Sequence, residues 1–289
     1  MKSFQVHSCK CPSLKLASYV TRGHVYKLPY AIIPVSHHRL FRPLFLQTQL
    51  FVVDQTKHDI CIPNIAWDPK SKYLATAGVN NIIHITTRNG EKYFEFNIPS
   101  STGGIISMEW DFLGENLAVL QFNTSKLTMF HASSKNITYL DLGGIDNSHM
   151  AWSHKSQTLA ISTLKGNVIL YNLATNDKVV VQGKHSRKIV DGAWTPATDS
   201  HDWLALASMD RTLTVTDCTS QHVAQYGLKS DPLAVKFCKQ KADGTNGSSC
   251  GAAMLCVNTG GRTLVLQALN AAVPPLELSF QEKYGPIRN

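Results

Sequence analysis

A chain of 289 residues, 43% hydrophobic and 17% charged, is long enough to bury a substantial core. The formal net charge of +8 is concentrated at one end: residues 1–53 hold Lys2, Lys10, Lys15, Arg22, Lys27, Arg39 and Arg42 and no acidic residue, and the remainder is close to neutral. That distribution argues against a nucleic-acid reading of the main body. Seven cysteines without a C-x-x-C pair argue against a disulfide framework and for a reducing compartment, and no apolar run reaches the roughly 20 residues of a membrane-spanning helix.

Residues 1–48 read as an irregular, basic and disordered leader, because Pro12, Pro29, Pro34 and Pro43 interrupt every candidate element. An organelle presequence or a basic arm for phosphates are the functional readings of this stretch. Cys9 and Cys11 with nearby His7 lack the ligand spacing of a metal site, so no metal and no cofactor is expected. From about residue 49 to 289 the pattern changes, beginning with a candidate strand at Leu50–Val53.

A repeat then sets in. Trp67, Trp110, Trp152 and Trp194 are spaced by 43, 42 and 42 residues, and Phe237 follows 43 later. After each comes a polar turn and then an apolar strand: YLATAG from Tyr73, LAVLQF from Leu117, LAISTL from Leu159, LALASM from Leu204 and AMLCVN from Ala253. A third strand follows at Ile82, Leu127, Val168, Leu213 and Leu264, and a more variable fourth at Lys92–Phe96, Ile137–Leu140, Lys178–Val181, His222–Tyr226 and Leu276–Phe280. Trp beside alternating apolar strands is core rather than a ligand-stacking ladder, so the five aromatics are expected to be blade-core residues. Four strands per unit of about 40–45 residues is the signature of a β-propeller.

The fourth repeat is the most complete. Within GKHSRKIVDGAWTPATDSHDWLALASMDRTLTVTDC, the continuous run at Leu204–Ser208 reads as a strand covered on both faces. Asp210 leads a tight turn, and the alternation through Thr216 marks a third strand. The unit resembles a WD repeat, in which a buried His bonds the turn Asp, with a Ser/Thr and a strand-three Trp completing the network. The matching positions are His185, Asp210 and Ser208, with Thr216 where the Trp would stand, so a partly made network is expected. His185 with Asp210 could also be read as a general base and its orienting carboxylate, but no nucleophile accompanies them.

No Walker loop, G-x-S-x-G, H-E-x-x-H or dinucleotide fingerprint occurs. Gly247-Ser-Ser-Cys-Gly251 could place a nucleophile in a turn, although a flexible loop is the ordinary explanation of so Gly/Ser-rich an insertion. No catalytic residue is therefore expected. Lys184, Arg187 and Lys188 form a small basic cluster in the loop entering the fourth repeat. It is read as a possible contact for an acidic partner or a lipid head group, against a plain solvated loop.

The fold class that follows is all-β: a WD-repeat β-propeller of about five four-stranded blades, incomplete at the C-terminus and part of a larger, seven-bladed ring. The closing Tyr284-Gly-Pro-Ile-Arg-Asn289 resembles the start of a further first strand. More specifically, NIAWDPKSKYLATAG, MEWDFLGENLAVL, WSHKSQTLAISTLKGNVILYN, GKHSRKIVDGAWT and LALASMDRTLTVT resemble the N-terminal propeller of the WD-repeat protein nineteen family, subunits of intraflagellar transport complex A. That resemblance implies a non-enzymatic scaffold in retrograde transport in cilia and flagella. It implies other complex A subunits and membrane-protein cargo as partners, and a location at the cilium and basal body. It carries no catalytic or cofactor residue with it. A WD-repeat adaptor of another assembly, a vesicle coat or a ubiquitin ligase, shares the repeat architecture and is the alternative.

Overall fold

The computed structural model describes residues 64–99, 103–144, 146–217, 222–238, 254–269, 274–281 and 287, with the backbone alone for four strands before residue 55 and for residues 222–223. The chain divides into two compact units, Met1–Ser100 and Ser101–Asn289. Every described regular element is a β-strand.

In the first unit, β1 (Ser3–Ser8), β2 (Lys15–Thr21), β3 (His24–Lys27) and β4 (Thr48–Asp54) form an antiparallel sheet in the order β3-β2-β1-β4. Three short strands thus stand inside the segment read as an irregular leader, the rest of which lies outside the described residues. The candidate strand at Leu50–Val53 belongs to β4 and pairs with β1, Val53 opposite Phe4. A second sheet follows in simple meander order: β5 (Asn64–Trp67), β6 (Tyr73–Ala77), β7 (Ile82–Thr87) and β8 (Lys92–Asn97). We call it blade one.

The second unit repeats that meander four times. Blade two is β9 (Ile105–Trp110), β10 (Asn116–Gln121), β11 (Lys126–His131) and β12 (Asn136–Asp141); blade three is β13 (Asn147–Trp152), β14 (Thr158–Thr163), β15 (Val168–Asn172) and β16 (Asp177–Val181). Blade four is β17 (Ile189–Trp194), β18 (Trp203–Ser208), β19 (Thr212–Asp217) and β20 (His222–Gly227), and blade five is β21 (Pro232–Phe237), β22 (Met254–Thr259), β23 (Thr263–Ala268) and β24 (Leu276–Ser279). All are antiparallel four-stranded sheets, and the repeat count and strand positions agree with the sequence reading. Of the closing stretch only Ile287 is described, and its N–H donates to the Gly261 carbonyl at 2.6 Å.

The second strands are the most apolar and most buried of each blade because both of their faces are largely covered. β10 and β18 are buried at every residue, whereas the fourth strands β12, β16 and β24 are largely exposed. The core of the second unit therefore lies between successive sheets. Leu120 and Leu127 of blade two pack with Met150, Trp152 and Ile161 of blade three; Ala160 and Leu170 of blade three pack with Trp194 and Leu206 of blade four; Leu213 and Val215 of blade four pack with Val235, Leu255 and Val257 of blade five. Each large apolar side chain so buried contributes roughly 1.5–3 kcal/mol relative to leaving it exposed.

Two devices recur at the ends of these strands. At the first hairpin, the residue after the aromatic caps the turn. Asp68 Oδ1 accepts the Tyr73 N–H at 2.8 Å, Asp111 Oδ1 the Glu115 N–H at 2.8 Å, Ser153 Oγ the Lys155 and Ser156 N–H groups at 3.1 Å, and Thr195 Oγ1 the Trp203 N–H at 3.1 Å. Short side-chain oxygens satisfy turn amides in this way. At the opposite end, the residue opening the turn between the second and third strands donates its N–H to the loop before the first strand. Phe122 bonds Gly104, Leu164 bonds Asp146, Met209 bonds Lys188 and Gly260 bonds Asp231, all at 2.7–2.9 Å. These turns use left-handed backbone at Asn123, Gly166, Arg211 and Gly261.

Candidate interaction site

The loop from Gly183 to Lys188 is anchored by the side chains that the sequence singles out. His185 has a fully buried side chain, with Nδ1 2.8 Å from Thr212 Oγ1 and Nε2 2.8 Å from Thr214 Oγ1. Asp210 stands 3.6 Å from His185 Nδ1, so the two are linked mainly through Thr212, whose hydroxyl and N–H both donate to Asp210 Oδ1. Asp210 Oδ2 accepts the Ser186 N–H at 2.8 Å. Ser208 Oγ donates to the Arg187 carbonyl at 3.1 Å and accepts the Asp210 N–H at 3.2 Å. Thr216, at the place of the strand-three Trp, is buried. The second partner of the imidazole is Thr214, two residues earlier.

Burial pushes the Asp210 carboxyl up, but the bonds from the Thr212 hydroxyl and the Ser186 and Thr212 N–H groups outweigh it and hold it at about 2. Burial lowers the His185 pKa against the opposing pull of Asp210. The imidazole is therefore neutral near pH 7, one nitrogen donating and the other accepting between two hydroxyls.

This arrangement presents the basic loop. Arg187 and Lys188 are exposed and Lys184 is half-buried, while the backbone beneath them is fixed: Ser186 by Asp210, Arg187 by Ser208 and Lys188 by Met209. The blade-three turn presses on the same loop. A Cβ on Gly166, whose φ is +84°, would lie 2.6 Å from the His185 carbonyl oxygen and 2.7 Å from that of Arg187, so only glycine allows this approach.

The register aromatics sit as follows. Trp110, Trp152 and Trp194 are buried, and Trp67 and Phe237 are half-buried. Trp152 Nε1 donates to the Glu109 carbonyl at 3.1 Å and Trp194 Nε1 to the Ala151 carbonyl at 2.9 Å, so each of these indoles pins its blade to the preceding one. Phe237 has no N–H to donate. Sequence reasoning missed the hairpin caps Asp68, Asp111, Ser153 and Thr195, although a polar residue directly after each Trp was a visible signal.

It also missed a polar chain on the first strands of blades two to five. Glu109 Oε2 accepts the Trp152 N–H at 3.1 Å, His149 Nε2 lies 3.4 Å from Asp191 Oδ1, Asp191 Oδ2 accepts the Val235 N–H at 2.9 Å, and Lys236 Nζ is 3.8 Å from that same oxygen. Burial pushes the Glu109 carboxyl up to about 7 and lowers the His149 pKa, and the Lys236 charge acts on both. These contacts tie blades together across separations of about 40 residues; no local pattern announces them.

Among the described residues, no group of three or more His, Cys, Asp or Glu could hold a metal ion. The Gly247–Gly251 turn, with its Ser and Cys candidates, and Cys9 and Cys11 lie outside the described residues, and His7 is described only by its backbone.

Comparison with known proteins agrees with this architecture. The family model of the WDR19 first β-propeller matches residues 63–289. The chain is 35% identical over 224 residues to WD repeat-containing protein 19 of Mus musculus and 34% identical to that of Homo sapiens, and 30% identical over 227 residues to WD repeat-containing protein dyf-2 of Caenorhabditis elegans. Each alignment covers 77% of this chain and 16% of the relative's length. The crystal structure of Saccharomyces cerevisiae Sqt1 superposes with a TM-score of 0.64 at 14% identity, over 78% of this chain and 65% of that one, a likeness of fold alone. With a family model spanning its whole run of blades, this chain belongs to the WDR19 first β-propeller family.

Proposed function

We propose that the chain is a non-enzymatic interaction scaffold of the intraflagellar transport complex A type, acting in retrograde transport and cilium assembly on the cytoplasmic side of the cilium, flagellum and basal body. The observation that carries the reading is the family match over residues 63–289. It is supported by what the conspicuous polar residues do: His185, Ser208, Asp210 and the inner-strand chain are spent on backbone groups, on the Thr212 and Thr214 hydroxyls and on one another, holding blades and loops in place. The partners are the other complex A subunits and membrane-protein cargo. The loop of Lys184, Arg187 and Lys188 is a contact surface, since its backbone is fixed while its charged ends face outward.

The test is affinity purification of the endogenously tagged product from ciliated or flagellated cells, with peptide mass spectrometry. Co-purification with complex A subunits is the expected result. Recovery with vesicle-coat or ubiquitin-ligase subunits instead would overturn the ciliary assignment and leave an adaptor of another assembly.

A further inference from the structure

The turns between second and third strands share one position whose backbone role is constant and whose side chain is not. Phe122, Leu164, Met209 and Gly260 all make the same N–H bond to the loop before the first strand. Blade five makes it with glycine, so the fold asks for no apolar side chain there. Blades two, three and four nevertheless carry Phe, Leu and Met; Phe122 is 54% exposed and Leu164 39% exposed, and Met209 is half-buried. Phe122 lies against Gly103, but exposed apolar groups that recur on successive turns, beyond what the shared bond requires, mark a contact surface.

These three turns form one row. Asn147 Nδ2 donates to the Thr124 carbonyl at 2.9 Å, joining the Phe122 turn to the start of blade three. Gly166 of the Leu164 turn lies against His185 and Arg187, and Lys188 accepts the Met209 N–H. The basic loop is thereby threaded between the second and third apolar turns.

Charge on this face is lopsided. Asp146 is paired with Lys165 at 3.0 Å, Asp231 with Arg211 at 2.8 Å, and Asp210 is engaged by Ser186 and Thr212. Lys184, Arg187 and Lys188 form no ion pair with a described residue. The surplus is positive and sits beside the apolar groups. We propose that this face binds an acidic peptide segment carrying bulky apolar side chains, its carboxylates on Arg187, Lys188 and Lys184 and its apolar groups on Phe122, Leu164 and Met209. A single peptide can alternate apolar groups and carboxylates along the row, in the order in which the apolar turns and the basic loop succeed one another.

The proposal deepens the reading of the chain as an interaction scaffold, and its test needs none of the assembly partners, so the two can fail separately. The full 289-residue chain is titrated into a short fluorescein-labelled peptide alternating glutamate with leucine and phenylalanine, followed by anisotropy. Controls are the same peptide with lysine for glutamate, the same peptide with serine for its apolar residues, and phosphatidylserine-containing vesicles. Saturable binding that weakens with salt is expected, together with a loss of at least tenfold in both Arg187→Glu/Lys188→Glu and Phe122→Ser/Leu164→Ser. The milder Arg187→Gln/Lys188→Gln pair, checked by circular dichroism, serves if the charge reversal does not fold. Equal binding of the lysine peptide, insensitivity to both double variants, or uptake by anionic vesicles in place of the peptide would overturn the proposal.

Discussion

Blades four and five have the same strand order and the same register through their first three strands, yet they are held by different means. Blade four brings an indole that reaches the Ala151 carbonyl, a threonine cap at Thr195 and the imidazole seated between Thr212 and Thr214. Blade five has Phe237 without a donor, Cys238 at the cap position and Gly260 where its neighbours have Phe, Leu and Met. Its polar links to blade four are the Val235 N–H and the Lys236 ammonium on Asp191 and the exposed Arg211–Asp231 pair. What both possess is an apolar stripe between sheets, Val215 against Val235, Leu255 and Val257. The stripe and the ladder make a blade; the polar side chains fasten it to its neighbour and fix its loops.

The strongest way to break the contrast is to prise blade four's entry loop from blade three. Gly166→Ala puts a Cβ within 2.7 Å of two carbonyl oxygens on left-handed backbone and is expected to cost roughly 2–4 kcal/mol, read as a lower thermal midpoint of the whole unit. Next comes Thr214→Val, which keeps the side chain's shape and strands the buried His185 Nε2. A loss of about 1–3 kcal/mol is expected, and an unchanged urea midpoint would show that Thr212 alone seats the ring. Trp194→Phe makes blade four resemble blade five by deleting the bond to Ala151, for a cost of about 1 kcal/mol.

A titration sharpens the contrast between polar and apolar fastening. Glu109 has its pKa raised to about 7 by burial, so the folded state holds a proton that the unfolded chain releases near the ordinary glutamate value of 4.5. Its contribution is complete below the unfolded value and is lost as pH rises through the folded one. Glu109→Gln is therefore expected to raise the melting temperature at pH 8.5 relative to the parent and to lose that advantage at pH 5, measured by calorimetry at both. The smallest effect is constructive. Cys238→Thr gives blade five the hydroxyl cap that Thr195 supplies in blade four, for a gain of about 0.5 kcal/mol in chemical denaturation.

The repeat was readable because a Trp or Phe recurs at nearly constant spacing and each following strand carries period-two or continuous apolar character; blade count and strand positions came from that alone. The partners of His185 were less readable. Whether an imidazole meets a turn carboxylate or the hydroxyls of the third strand depends on how deeply the loop sinks, and Gly166 of the previous blade sets that depth from some 20 residues away. Glu109, His149, Asp191 and Lys236 were illegible for a related reason. Each looks like an isolated polar residue on an inner strand until the blades are set side by side.

The indole contacts have a direction. Trp152 and Trp194 each reach back to a carbonyl made one repeat earlier, and Asp191 likewise waits for the Val235 N–H of the repeat that follows. On a ribosome, where a repeat of some 42 residues takes about 2–8 s to emerge, blades three, four and five each bring in one of these three donors, the Trp152 and Trp194 indoles and the Val235 N–H, after its acceptor has been made. At these three contacts the order of translation is also the order in which acceptor and then donor become available.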